Sequence, residues 1–228
     1  MTKQTTHWIA GIHAVRTALK HGAQQTVEVW VDKQRDDRRY KHLLQEAEHQ
    51  GIKIQKVECK ALEQKVGAVN HQGVAAQTTL PTAANEAGLD ELLSGLNEPP
   101  LLLILDGVTD PHNLGACLRS ADATGVHAVI APRDKSVGLT PVVCKVASGA
   151  AQTVPFFQVT NLARTLRHLQ NNHRIFLVGL ADSSEQSFYQ ANLEGRLGLV
   201  LGAEGSGLRR LTGECCDQLL SLPMCGAV

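Results

Sequence analysis

Residues 101–125 read LLLILDGVTDPHNLGACLRSADATG: an apolar run, a turn, then helical spacing. The run Leu101–Leu105 has no polar interruption, as in a strand buried on both faces. Pro111 and Gly115 shape the turn. Leu114, Cys117, Leu118 and Ala121 then fall on one face of an amphipathic helix. Strand, loop and helix in that order is where parallel sheets hold nucleotide-type ligands, beyond the carboxyl ends of the strands. A dinucleotide fingerprint needs three glycines here, and the loop does not supply them. It carries Asn113 and Arg119 instead. Asn113 reads either as the helix N-cap or as a ligand contact. Arg119 projects from a different face and reads either as a surface charge or as part of a site.

The alternation continues to the end of the chain. Apolar segments HAVIAP, TVPFFQV, RIFLVGL, LGLVLG and LLSLPM are separated by helical stretches beginning near Asn113, Pro141 (with Thr140 as N-cap), Leu162 and Leu208. Such strands between amphipathic helices predict an α/β fold, a parallel sheet covered on two sides. Upstream, residues 79–100 turn to proline, small residues and acids, with room for one short helix at Leu89–Leu96 before Pro99-Pro100 blocks it. That segment is the expected linker. Residues 1–78 form a smaller α/β unit: helix GIHAVRTALKHG, strand TVEVWVD, helix DRRYKHLLQEAEHQG closed by Gly51, strand IKIQKV, short helix CKALEQKVG and strand GVAAQTT. The predicted division is 1–78, 79–100 and 101–228.

The bulk numbers narrow the class. A chain of 228 residues with 43% apolar content can build two modest cores. No window reaches the roughly 18 apolar residues of a membrane span, and the N-terminus lacks a signal-peptide layout, so a cytoplasmic protein is expected. Six cysteines, at 59, 117, 144, 215, 216 and 225, show no C-x-x-C and no paired Cys/His spacing. They predict reduced thiols and no metal, with Cys215-Cys216 serving helix packing. Net charge is zero but divided. Residues 1–78 hold 12 Lys+Arg against 8 Asp+Glu (+4), and the remainder holds 10 against 14 (−4). A basic module hints at a polyanionic partner as much as at a solvated face.

Two further loops stand at strand ends. LGAEGSGLRR, residues 201–210, runs from a strand through Gly202, Gly205 and Gly207 into a helix, which lets backbone approach a ligand closely. Glu204 inside it reads as a helix-terminus carboxylate or as a partner for an arginine. In LPMCGAV, Pro223 ends the strand, Gly226 permits a sharp turn, and Met224 packs in the core or against a flat ring.

Together DPHNLGACLR, LVLGAEGSGL and LPMCGAV resemble, in order, the three motifs of the SpoU–TrmH family of RNA 2′-O-ribose methyltransferases, of the SPOUT class. GIHAVRTALKHG and NHQGVAAQ also resemble the substrate-binding domain of the bacterial subgroup that methylates a guanosine of large-subunit ribosomal RNA. The resemblance implies a trefoil-knotted, parallel-sheet methyltransferase domain preceded by a small ribosomal-protein-like α/β RNA-binding domain. It implies S-adenosylmethionine as cofactor, ribosomal RNA as substrate and a homodimer. Carried over by position, it gives Asn113, Arg119 and Glu204 catalytic roles: Asn113 at the ribose, Arg119 at the target 2′-hydroxyl, Glu204 holding that guanidinium. Gly202, Ala203, Leu222 and Met224 would hold the cofactor.

A guanidinium surrenders its proton reluctantly, so stabilising a developing oxyanion and gripping the neighbouring phosphate suits Arg119 better than acting as a base. Within the basic module, Arg35, Arg38, Arg39 and Lys41, with His71 and Gln72 of the NHQG turn, are the candidate RNA contacts. Few aromatics accompany them, so phosphate contacts should outweigh base stacking. The family's third motif continues beyond GAV into a serine- and asparagine-containing stretch and a helix, and the alternation also calls for a further helix; a C-terminally incomplete version of an enzyme is therefore expected. The alternatives are a transfer-RNA 2′-O-methyltransferase or a non-catalytic RNA-binding protein on the same scaffold. A nicotinamide-dependent dehydrogenase fails on glycine spacing.

Overall fold

The computed structural model describes residues 6–67 and 69–223, without the side chain of His21. These fall into two compact units, 6–82 with 139–153, and 83–138 with 154–223.

The first unit runs β1 (Thr6–Ala10), α1 (Ile12–Gly22), β2 (Thr26–Asp32), α2 (Arg38–His49), β3 (Lys53–Val57), α3 (Cys59–Val66) and β4 (Val74–Thr79). The sheet order is β1-β4-β2-β3, with β2 and β3 parallel and β4 antiparallel to both its neighbours. Val15 and Leu19 of α1 and Leu43 and Ala47 of α2 meet Val29, Val31, Val74 and Ala76 of the strands in one core. Asp37 starts α2 by accepting the Tyr40 N–H at 3.1 Å. The predicted elements are all present. Strand β1 was not predicted, because an edge strand of five residues beside a polar terminus has too little pattern to read.

Two stretches differ from the consecutive division read along the chain. Helices α6 (Pro141–Ala147) and α7 (Ala150–Thr153) pack with the first unit, where Gly149 lies so close to Thr17 that a Cβ would stand 2.2 Å from its Cγ2. Residues 79–100 are also more than a connector. They contain α4 (Glu86–Gly95), capped by Asn85, with Leu89 and Leu93 buried in the core of the second unit. The short helix expected at Leu89–Leu96 is there, starting three residues earlier and packed into the core.

The second unit adds β5 (Leu101–Asp106), α5 (Pro111–Ala123), β6 (Ala128–Pro132), β7 (Phe156–Val159), α8 (Leu162–His173), β8 (Phe176–Leu180), β9 (Leu197–Gly202), α9 (Arg210–Cys215) and β10 (Gln218–Leu220). All six strands are parallel, in the order β10-β8-β9-β5-β6-β7. Leu102, Ile104, Ile130, Leu177 and Val200 form the sheet's share of a core covered by Leu166 and Leu169 of α8. At about 1.5–3 kcal/mol per buried aliphatic side chain, this burial is the main force holding the layers together.

Thr140 caps α6 as expected. Asn113 does not cap α5: Asp110 does, accepting the His112 N–H at 2.9 Å, with Pro111 in the first turn. Asn113 sits one turn in, with its amide free for other work. Helix α9 begins at Arg210, two residues later than expected. Among the described residues the cysteines are free, and burial pushes the Cys144 thiol up to about 11 and that of Cys216 to about 12. Such thiols stay protonated and pack rather than react. No described helix is long and apolar enough to cross a membrane.

Candidate active site

Strands β5 and β9 are hydrogen-bonded neighbours, and Asp106 pairs in register with Gly202. The two loops that the sequence separates by about ninety residues therefore leave the sheet side by side. Beyond their ends lies a cleft of about 440 Å³, lined by Gly107, Val108, Asn113, Gly202, Ala203 and Glu204 among others. Its position, past the carboxyl ends of parallel strands, is the one open α/β sheets favour for ligands.

The second loop is a closed lasso. Ala203 N–H donates to Gly207 O at 3.0 Å, and Gly207 N–H donates back to Ala203 O at 2.9 Å. Gly202 lies directly beneath: a Cβ there would stand 2.1 Å from the Gly207 carbonyl carbon. Only glycine at 202 allows this closure. Cys117 lines the cleft too, but burial raises its pKa, so it offers no thiolate nucleophile.

One carboxylate fixes the arrangement from below. Asp106 is fully buried at the end of β5; its Oδ2 accepts the Arg209 N–H at 2.9 Å, and its Oδ1 lies 3.3 Å from Arg209 Nε, near but not aligned as a hydrogen bond. It ties the exit of the second loop to the strand that starts the first. Sequence reading did not single it out, since its partner is 103 residues away. Asp106→Ala would leave a partly buried backbone N–H without an acceptor. The expected loss is about 1–3 kcal/mol of stability, checked by urea unfolding, with weaker ligand binding at the cleft.

The catalytic candidates are only partly assembled. Asn113 Nδ2 donates to Glu204 Oε2 at 3.1 Å, linking the first loop to the second. Glu204 was expected to hold Arg119; here its hydrogen bond goes to Asn113. Arg119 is exposed on α5 and does not line the cleft, because six residues at 100° each turn it well away from Asn113. Gly202 and Ala203 line the cleft, whereas Leu222 is exposed and is not part of its wall. Met224 lies outside the described residues.

A second feature belongs to the first unit. His13, Arg16 and Lys20 repeat along the exposed face of α1 and line a groove of about 800 Å³ with Arg35, Arg39 and Gln72. Arg35 is steadied by Asp37, Nε to Oδ2 2.5 Å. Gln72, at φ +49°, accepts the Ile12 N–H at 3.2 Å and so also anchors the start of α1. Arg38 and Lys41 are exposed but outside the groove, with Lys41 paired to Asp36 at 3.0 Å. His71 faces inward enough for its Nδ1 to accept the Gly73 N–H at 3.0 Å. The cations of α1 were missed because helical spacing was read for its apolar face alone.

Residues 100–228 match the SpoU rRNA Methylase family, and residues 8–84 match the RNA 2′-O ribose methyltransferase substrate-binding family. The chain is 53% identical over 220 residues to a 23S rRNA (guanosine-2′-O-)-methyltransferase RlmB from Shewanella oneidensis, covering 96% of this chain and 89% of that protein. It is 54% identical, with the same coverage, to the protein of that name from Haemophilus influenzae. Its fold is similar to that of the SpoU methyltransferase AviRb from Streptomyces viridochromogenes, solved in complex with AdoMet (TM-score 0.76, 20% identity, 98% of this chain and 83% of that one).

Proposed function

The chain belongs to the SpoU rRNA methylase family, and from that premise we infer that it transfers a methyl group from S-adenosylmethionine to the ribose 2′-hydroxyl of a guanosine in large-subunit ribosomal RNA. The observation that carries this reading is identity above one half across nearly the whole chain, both units included.

The cleft beyond β5 and β9 fits the cofactor. Its volume of about 440 Å³ suits a nucleoside-sized ligand, and Gly202 lets the loop close tightly enough to form one wall of it. Gly202 and Ala203 hold the cofactor in this proposal, with Leu222 and Met224 carried over from the family motif. Bound there, S-adenosylmethionine supplies a methyl group already activated on a sulfonium. The protein's task is then alignment and charge stabilisation at the attacking oxygen. Asn113, held by Glu204, orients the ribose. Arg119, exposed on the same helix but turned away from this cleft, is assigned by the family motif alone to stabilise the developing 2′-oxyanion and grip the adjoining phosphate. A homodimer completes the proposal, with exposed Leu211 and Leu219 available for a second copy to cover.

The trefoil knot is part of the same reading. Ser221 N–H donates to Gln186 O at 2.8 Å, Phe188 N–H donates to Ser221 O at 2.8 Å, and Ala181 N–H donates to Leu220 O at 2.9 Å. The last strand is thus bracketed between β8 and the loop that follows β8, as a chain end passing through a loop would be. A cytoplasmic location follows from the ribosomal RNA substrate.

The test is transfer of labelled methyl to unmodified ribosomal RNA, mapped to the nucleotide. Label on one guanosine 2′-oxygen supports the reading; label on transfer RNA alone, or binding without transfer, overturns it. We further propose that the basic groove docks RNA through its phosphates. Replacing Arg16, Lys20, Arg35 and Arg39 together by alanine should weaken RNA binding and flatten its salt dependence by about one unit of slope per lost phosphate contact. Affinity for S-adenosylhomocysteine, read by calorimetry, should not move.

A further inference from the structure

In the second unit three ligating side chains converge away from the cleft. Asp90 of α4 and His168 and His173 of α8 bring one atom each within 4.8 Å of the others. Both imidazoles aim Nε2 at the same carboxylate oxygen: His168 stands 2.7 Å and His173 2.8 Å from Asp90 Oδ1. The two rings meet edge to face at 5.7 Å. His173 is the last residue of α8, before the chain turns out through Arg174 at φ +53°, and lies three residues ahead of β8. The cluster therefore sits toward the amino edge of the sheet, opposite the strand ends that bear the cleft.

We propose that Asp90, His168 and His173 bind a borderline divalent transition-metal ion of the Zn2+ type. Two imidazole nitrogens and one carboxylate oxygen are a donor set such ions prefer, and too nitrogen-rich for Mg2+ or Ca2+. Ligands about 2.0–2.1 Å from a tetrahedral ion stand about 3.3 Å apart, so each His–Asp separation has to lengthen by about half an ångström to replace its hydrogen bond by metal bonds. A cleft of about 180 Å³ adjoins the cluster, lined also by Glu86 and Arg164, and leaves space for water as a further ligand. Arg164 lies 3.9 Å from Glu86, which offsets its charge. The ion would clamp α4 to α8.

Cys59, Glu63 and His71 form the other such cluster among the described residues, but His71 is poorly set as a ligand. Its Nδ1 accepts the Gly73 N–H, which keeps the proton on Nε2, the atom facing Cys59; the Nε2 protons that His168 and His173 share with Asp90 can instead move to Nδ1, which in either ring accepts no backbone N–H among the described residues. Cysteine spacing along the chain predicts no metal. The proposed triad uses no cysteine, and its aspartate lies 78 residues from the nearer histidine.

The full chain, stripped with a chelator, would be dialysed against micromolar Zn2+ and titrated with Co2+ under visible absorption. One Zn2+ per chain is expected, with affinity at least tenfold weaker in both His168→Ala and Asp90→Asn. Co2+ should show d–d bands without thiolate charge-transfer bands. His168 is partly exposed, so its removal should spare the fold; circular dichroism checks this. Imidazole resonances of His168 and His173 should shift in the unsubstituted protein on adding Zn2+. No uptake at micromolar Zn2+, unchanged affinity in both variants, or thiolate bands with Co2+ would each overturn the proposal.

Discussion

Arg119→Ala is expected to lower the rate of methyl transfer by about 10²–10³-fold, the range found when one donor to a developing oxyanion is removed. The side chain is exposed and lines neither the cleft nor the core, so its loss should leave the unfolding midpoint and the affinity for S-adenosylhomocysteine unchanged. Arg119→Lys should rescue little, because an ammonium cannot donate two parallel bonds to a phosphate or ribose edge. Single-turnover kinetics with ribosomal RNA separates transfer from binding. A rate within a few-fold of the unsubstituted protein would remove Arg119 from the chemistry and shift the burden to Asn113 and Glu204.

Gly202→Ala is expected to abolish measurable cofactor binding, with affinity for S-adenosylhomocysteine falling at least about 100-fold, or about 2.7 kcal/mol. The added Cβ would meet the Gly207 carbon at 2.1 Å, its oxygen at 2.4 Å and the Leu208 nitrogen at 2.4 Å. All three are backbone atoms, so no rotamer change relieves the clash. The lasso between Ala203 and Gly207 has to open, and with it the wall of the cleft. Gly213→Ala is the control. Its Cβ meets nothing within 4 Å inside α9, so binding should hold and stability should rise by about 0.5–1 kcal/mol. Calorimetry on both variants decides between steric closure and a general intolerance of this region to substitution.

Some features were legible without coordinates. Apolar runs between amphipathic stretches gave all six strands of the parallel sheet, because strands buried on both faces admit few polar residues. Thr140 before Pro141 marked a helix start correctly, since cap and first-turn preferences act within a few residues. For α5 local preference leaves the cap open: Asn113 is one candidate, and Asp110, three residues earlier, takes the position. Asp110 and Asn113 are both good caps, and the position of Pro111 decides between them. Order and spacing of three loops sufficed to indicate the family.

What the sequence determined by itself was therefore local or patterned: the strand–helix alternation, the glycine-rich second loop, the basic first module and the motifs. Tertiary structure alone decided which distant groups meet. Asn113 finds Glu204 across 91 residues, Asp106 finds Arg209 across 103, and Asp90 finds His168 across 78. Each pair depends on which strands become neighbours, and periodicity carries no record of strand order. The hydrophobic effect buries apolar faces without direction, whereas a hydrogen bond exists only at one distance and angle. Pattern thus survives in one dimension, and polar geometry appears only in three.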